Sequence, residues 1–378
     1  MPATLTESLF SGTIPRLNGL RAISAFLVVA YHYGIDLVGG FGSLAFFVTS
    51  GFLITWLLLA EHARSGTVSL RSFYSRRSWR IFPAFYVYWT LVTSILVLGH
   101  KHILWPQAWS SFFFVSNYYQ GLNNYPSSAY SHTWSLAIQE QFYLLWPVIF
   151  LFFVSSKTKL LGVVTASIGT VWIYRAALHF HGFPEEYIYT AFETRIDHIL
   201  MGCALAIALH ERFLCGLWAT LTRPGWWIAN VILLSVSVVC ANTCGPMYRN
   251  VLGFIIEPVL IAILIVQLLA SRSPLVLWLD SKPLVFLGTI SYSTYLYQQI
   301  LISPVRAMLR LTNAPELLVF AVCVLTVWMV AWLSYMFVER PFVSLRRRFS
   351  SDGRDQRVIH VVRRPQHAPA MATEAAVG

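Results

Sequence analysis

Two ionisable side chains, Arg21 and His32, lie within the first apolar run of the sequence, residues 17–34. Ionisable groups inside such runs are costly in lipid and are therefore functional candidates. A spacing of eleven residues equals three helical turns plus about 20°, so both side chains share one face, about 16 Å apart along the axis. Without further motifs, a structural explanation is as good as a functional one. Arg21 would then extend to the membrane interface, and His32 would be a neutral histidine hydrogen-bonded to another helix.

A second polar feature is the Thr49-Ser50-Gly51 sequence inside the next apolar run, residues 41–59. Ser50 and Gly51 are small enough to let a neighbouring backbone or a ligand approach closely. A seam of small residues for helix packing accounts for them as well as a binding role does.

Arginines cluster next, at residues 76–83, where Arg77 and Arg80 flank Ser78 and Trp79 before a third apolar run. Guanidinium groups bind phosphate in a bidentate manner, so this cluster suits a phosphate-bearing cosubstrate. Membrane orientation alone is the alternative, because basic residues collect in cytoplasmic loops.

Carboxylates lie at two further positions. Glu140 is about two turns into the fourth apolar run, where a buried carboxylate must be paired or protonated. It is predicted to orient a catalytic histidine or to complete a polar network. Residues 193–198 hold four ionisable groups, which indicates an ion-pair cluster at a site mouth or a solvated loop end. Glu257 and Glu339 are interpreted as structural.

The composition identifies the elements that must position these groups. Of the 378 residues, 57% are hydrophobic and only 11% are charged, which is typical of a polytopic membrane protein rather than a soluble one. The predicted fold is all-α, with about ten transmembrane helices. In lipid, a single segment can form all of its backbone hydrogen bonds internally only as a helix. The candidate spans are Leu17–Gly34, Phe41–Leu59, Ile81–Leu98, Trp134–Val154, Leu160–Leu178, Ile196–Leu209, Trp226–Cys240, Val251–Leu269, Leu284–Ile302 and Leu317–Val338.

Basic residues follow every second span, which predicts that both termini are cytoplasmic. The same clustering between apolar runs argues against a nucleic-acid partner, despite the net charge of +11. Residues 1–16 indicate no removable signal peptide, and residues 346–378 form a basic, then Pro/Ala-rich tail that is predicted to be disordered. No Cys/His spacing indicates a metal site.

Several motifs occur in an order that is informative as a set. They are Arg21-x10-His32, residues 46–52, residues 77–83, residues 132–136, residues 140–143 and Trp146-Pro147, with weaker ones at residues 195–197, Gly202, residues 291–297 and residues 339–341. This set resembles membrane-bound acyltransferase family 3 over residues 14–345.

The resemblance implies an O-acyltransferase of the bacterial inner (plasma) membrane that moves an acyl group, usually acetyl, from acyl-CoA to a hydroxyl of a carbohydrate or another exported acceptor. It also implies that His32 and Arg21 are essential and that Arg77 and Arg80 form the family's cytoplasmic arginine motif. The chain departs from many relatives at Leu44-Ala45, Gln139 and Gln298-Gln299, where those relatives carry acidic residues or histidine, so no catalytic role is assigned there.

The mechanism expected on this basis has three parts. Acyl-CoA binds transiently as a substrate, with Arg77, Arg80 and Arg21 against its phosphates and no permanently bound cofactor. His32 acts as a general base on the acceptor hydroxyl or carries the acyl group itself. Glu140 holds its tautomer, and Ser50 or a backbone N–H stabilises the oxyanion.

Two other functions compete with this mechanism. A transporter of an acceptor or metabolite also accounts for the polar groups, although the internal repeat that many transporters carry is absent from the two halves. A non-catalytic membrane scaffold leaves Arg21 and His32 unexplained.

Overall fold

The computed structural model describes residues 14–35 and 40–349, and the regular secondary structure of these residues is entirely helical. The helices, in chain order, are α1 (Pro15–Tyr33), α2 (Phe41–Ser65), α3 (Leu70–Leu98), α4 (Trp105–Phe112), α5 (Ser116–Leu122), α6 (Trp134–Phe153), α7 (Lys157–Phe180), α8 (Glu185–Thr190), α9 (Phe192–His210), α10 (Cys215–Leu221), α11 (Trp226–Thr243), α12 (Gly245–Ala270), α13 (Pro274–Leu277), α14 (Lys282–Thr289), α15 (Ser291–Arg310), α16 (Glu316–Ser334) and α17 (Arg340–Phe349). Short 3-10 turns lie at Ser131–Thr133 and Trp278–Asp280, and π-helical segments at Tyr248–Gly253 and Tyr335–Glu339.

Membrane-spanning length and composition are met by seven of the described helices, or by eight if the pair Glu185–His210 and Cys215–Leu221, bent by 109°, counts as one span. The all-helical, multi-pass prediction is thereby confirmed. All ten predicted apolar runs fall on helical segments, the ninth of them across α14 and α15, but α1, α9 and α15 are not among those seven. The count of ten and the cytoplasmic placement of the termini stay predictions.

The outer surface of the bundle is apolar, as a lipid-facing surface must be. Leu98, Phe152 and Leu317 are between 77% and 80% exposed, although side chains of this kind are normally buried in a soluble protein. The predicted tail begins at residue 346, whereas α17 continues to Phe349, and residues 350–378 lie outside the described residues.

Helix α1, which carries Arg21 and His32, has well-defined ends. Pro15 stands in its first turn, where the missing N–H costs nothing. Gly34 ends the helix in the left-handed region with φ of 110°, and its N–H donates to the carbonyls of Ala30 and Tyr31. Both candidate side chains therefore lie on one continuous helix.

Glycines allow α2 and α9 to cross at backbone distance. A Cβ on Gly51 would lie 1.9 Å from the carbonyl oxygen of Ile199, and one on Gly202 would lie 2.0 Å from that of Val48. Each helix thus presents its glycine to the other helix's backbone, as small residues do in membrane helix pairs. Small residues near position 50 suit either helix packing or ligand binding, and Gly51 serves helix packing.

We expect Gly51→Ala and Gly202→Ala to destabilise the protein, because the added methyl group cannot fit without moving a backbone, at a cost of about 1–3 kcal/mol. Gly169→Ala in α7 is the matched control, since a Cβ there meets nothing within 4 Å. The apparent Tm of detergent-solubilised protein measures the difference. Equal Tm values for Gly51→Ala and Gly169→Ala would contradict the close crossing.

Candidate active site

A cavity of about 780 Å³ lies between α1, α2, α3, α6, α14, α15 and the chain from the second π segment into α17. Its wall combines apolar side chains with an unusual number of charged and hydroxyl groups for a membrane protein. Polar groups on the wall include Arg21, Ser43, Ser50, Arg77, Arg80, Ser135, Glu140, Tyr143, Tyr295, Glu339 and Arg340.

The cavity is elongated along α2. Its lining on this helix extends from Leu57 to Ser43, which is about 21 Å at 1.5 Å per residue. The arginines line it near the start of α3, while its other end is formed by Ser43, Ser135 and Tyr295. One end is therefore cationic and the other carries hydroxyl groups.

Arg21, Arg77 and Arg80 lie close enough to interact electrostatically, and all three line the cavity. Among the described residues, none of the three forms a hydrogen bond or an ion pair. The Arg77 guanidinium lies over the Tyr143 ring, 4.7 Å from its centroid. Cations that lack partners and face a cavity are suited to a multiply charged anion such as a phosphate group.

Two carboxylates accompany the arginines. Glu140 interacts electrostatically with Arg77, and no hydrogen bond between described residues joins it to a histidine. Glu339, which is predicted to be structural, also lines the cavity, accepts a hydrogen bond from Ser293 and lies within electrostatic range of Arg80. Glu140 thus belongs to the arginine end.

Ser50 faces the cavity between its two ends, where its hydroxyl accepts a 3.0 Å hydrogen bond from the Gln139 amide. The hydroxyl proton is still available to a ligand. Ser50 lies seven residues along α2 from Ser43, about 10 Å from the far end of the cavity.

His32 does not line the cavity but lies next to its hydroxyl end. A Cβ on Gly42 would lie 2.6 Å from the Val28 side chain, which shows that the Gly42 backbone packs against Val28. Ser43, the next residue, is therefore at about the same depth in the bundle as Val28. His32 is one turn beyond Val28, and its ring bends back so that Nδ1 is 2.9 Å from the Val28 carbonyl oxygen. A carbonyl only accepts, so Nδ1 carries the proton and Nε2 of the neutral ring holds a lone pair.

His132 is a second histidine near the same end, and it is not among the site residues predicted from the sequence. It is 1% exposed and interacts electrostatically with His32. Its own motif, His132-Thr133-Trp134-Ser135, was the available signal. The distance in sequence between residues 32 and 132 concealed their proximity.

Of the predicted ion-pair cluster at residues 193–198, Arg195, Asp197 and His198 are buried and Glu193 is half-buried, and all lie outside the cavity lining. Asp197 accepts from Arg175 and from the Trp172 indole, and its other oxygen is 2.9 Å from Nδ1 of His198. The Arg195 guanidinium lies 3.9 Å from the Phe254 ring centroid. This network joins α7, α9 and α12, so neither a solvated loop end nor a site mouth describes it.

Metal binding has no candidate group in the part of the chain that the structure describes, where no three His, Cys, Asp or Glu side chains converge. The arginine end of the cavity is suited to binding an anion, and the histidines beside the other end are suited to proton transfer.

Comparison with known proteins adds a family relationship. The acyltransferase domain family matches residues 14–335 of this chain. No solved structure matches it.

Curated relatives include the peptidoglycan O-acetyltransferase OatA of Listeria monocytogenes, 32% identical over 87% of this chain and 55% of the relative. The putative peptidoglycan O-acetyltransferase YrhL of Bacillus subtilis is 30% identical over 87% of this chain and 54% of its own length. The O-acetyltransferase OatA of Staphylococcus aureus is 29% identical, with 57% of its length covered. The chain thus spans about half the length of these relatives.

We expect Arg80→Gln to raise the apparent Tm of the ligand-free protein by about 1–3 °C, because it reduces the repulsion among three guanidinium groups that form no ion pair with a described residue. The gain should shrink in high salt, which screens that repulsion. Arg71→Gln, on the same helix but outside the cavity, is the control. Thermal unfolding at two ionic strengths measures both, and a lower Tm for Arg80→Gln would mean that Arg80 has a stabilising partner.

Proposed function

This chain belongs to the acyltransferase family, and on that premise we propose that it is a membrane O-acyltransferase, an enzyme that transfers an acetyl group from acyl-CoA to a hydroxyl of a carbohydrate. The observation that carries the proposal is the single elongated cavity. It joins three arginines, which form no ion pair with any described residue, to an end beside a histidine whose Nε2 holds a lone pair.

The arginine end is suited to the phosphates of acyl-CoA. Arg21, Arg77 and Arg80 supply guanidinium groups, which form charge-assisted hydrogen bonds to phosphate oxygens. Glu140 and Glu339 offset part of the positive charge in the empty site. The length of about 21 Å leaves room for an extended acyl-bearing arm to reach the level of Ser43.

His32 is proposed as the general base. Its Nε2 removes the proton of the acceptor hydroxyl as the oxygen attacks the thioester carbonyl carbon. The C–S bond then breaks, the ester forms, and the imidazolium returns the proton to the departing thiolate. The hydrogen bond to Val28 keeps the required tautomer, so this role does not need Glu140.

Ser50 is proposed to bind the donor's arm rather than the oxyanion. Its position about 10 Å from the hydroxyl end separates it from the reacting carbonyl. The hydroxyl proton, free while Gln139 donates to its oxygen, is available to an amide carbonyl of the arm.

The acceptor is proposed to be a peptidoglycan-type glycan, reached in or at the plasma membrane of a bacterium. The relatives named for peptidoglycan O-acetylation support this class.

The deciding experiment incubates the purified protein with radiolabelled acetyl-CoA and a peptidoglycan fragment or a lipid-linked precursor. Appearance of label on the glycan together with stoichiometric CoA release supports the proposal. Movement of the glycan across a vesicle membrane without CoA release would instead support a transporter.

His32→Ala should lower kcat by about 10²–10⁴-fold, the usual contribution of a general base. His32→Gln should be equally impaired, because an amide fills the space without accepting a proton at neutral pH. Acetyl release from labelled acetyl-CoA measures both variants, with unchanged Tm as the control for folding. Activity close to that of the wild type in either variant would remove the base from the mechanism.

Arg77→Ala should raise the KM for acetyl-CoA by about 10–100-fold, the loss of one charged hydrogen bond to phosphate. The KM for the acceptor should stay unchanged. Arg64→Ala is the matched control, since Arg64 is exposed at the end of α2 and does not line the cavity. An unchanged KM for acetyl-CoA in Arg77→Ala would refute the phosphate role.

A further inference from the structure

We propose that His132 is a second catalytic residue, whose neutral ring donates a hydrogen bond to the oxyanion formed from the thioester carbonyl. This inference rests on the proposed acyl transfer and concerns its transition state.

His132, like His32, is not part of the cavity lining but lies next to its hydroxyl end. Its ring contacts Tyr88 and Tyr295, at centroid distances of 5.7 and 5.5 Å, and Tyr295 lines the cavity. Val28, whose carbonyl holds His32, packs in the same apolar cluster as these two tyrosines. The two histidines therefore approach one locus from α1 and from the turn before α6.

The ring of His132 lacks the hydrogen bonds that a buried imidazole needs. Neither Nδ1 nor Nε2 has a well-formed partner among the described residues, although the Leu296 backbone lies near the ring. A buried polar atom without a partner is costly, and most such atoms in proteins are paired. A substrate oxygen is a partner that supplies the missing bond during the reaction.

The backbone around His132, in contrast, is held firmly. Its carbonyl accepts from the Tyr295 hydroxyl at 2.9 Å, and Thr133 donates to the carbonyl of Tyr130 at 2.7 Å. The 3-10 turn Ser131–Thr133 is thus anchored on both sides while the ring nitrogens stay unsatisfied. Fixed donors without ground-state partners are the arrangement that stabilises developing charge most effectively.

Charge decides between a donor and an acid role for His132. When His32 takes the acceptor proton it becomes cationic, and a second imidazolium within electrostatic range would be repelled. His132 therefore stays neutral and keeps its one N–H proton throughout. It donates to the oxyanion oxygen, and all proton transfer passes through Nε2 of His32.

The test compares four substitutions in the full-length purified protein. His132→Ala and His132→Phe should lower kcat by about 10²–10³-fold, the effect of removing one oxyanion donor. The KM for acetyl-CoA should change by less than about twofold, because the arginines bind the donor. His132→Gln and His132→Asn, which restore an N–H donor, should have a kcat at least about tenfold higher than that of His132→Ala. The pH at which activity rises should stay that of the wild type in all four.

His132→Phe also controls for packing, since it keeps an aromatic ring between Tyr88 and Tyr295 and should keep the wild-type Tm. Wild-type kcat in His132→Phe would overturn the inference, as would equal inactivity of the amide and alanine variants. If the wild-type protein itself transfers no acetyl group, the proposed function fails instead, so the two failures are distinguishable.

Discussion

The cost of a charged side chain in lipid constrains this molecule more than any other interaction. The outer surface is therefore apolar, and ionisable groups of the bundle turn inward, as Arg21 and Glu140 do at one shared cavity. Close helix crossings make that arrangement compact. Gly51 and Gly202 bring α2 against α9 at backbone distance and leave the other face of α2 to line the cavity.

The cationic arginines and the histidines proposed for catalysis are separated along the length of the cavity. Arginines lie at one end and histidines beside the other, so an anion bound by the arginines does not place a cation next to His32, the proposed base. Had Arg77 been adjacent to His32, repulsion would have resisted the imidazolium that the proposed mechanism requires. The Val28 carbonyl fixes the tautomer of His32 from within α1 itself.

Much of this arrangement was predictable from residue type and order. Apolar run lengths predicted the helices, and unusual polar residues in those runs marked Arg21, Ser50, Arg77, Arg80 and Glu140, which the fold gathers at one cavity. Glu140 is predicted either to orient a histidine or to complete a polar network, and the fold places it within electrostatic range of Arg77. Glu339 and His132 are not predictable as site residues from the sequence. A polar residue near the end of a span usually has a structural role, and only its neighbours in the fold show otherwise.

The sequence by itself determined that the chain is a helical membrane protein and that α1 carries an arginine and a histidine on one face. These properties follow from local periodicity and from the transfer energy of each side chain, which depend on near neighbours in the chain. Tertiary structure decided which groups meet: that His32 lies beside the end of the cavity and not in its wall, and that His132, one hundred residues away in sequence, lies beside it. Such proximity depends on how helices cross, and a crossing is set by packing between segments that no local pattern specifies.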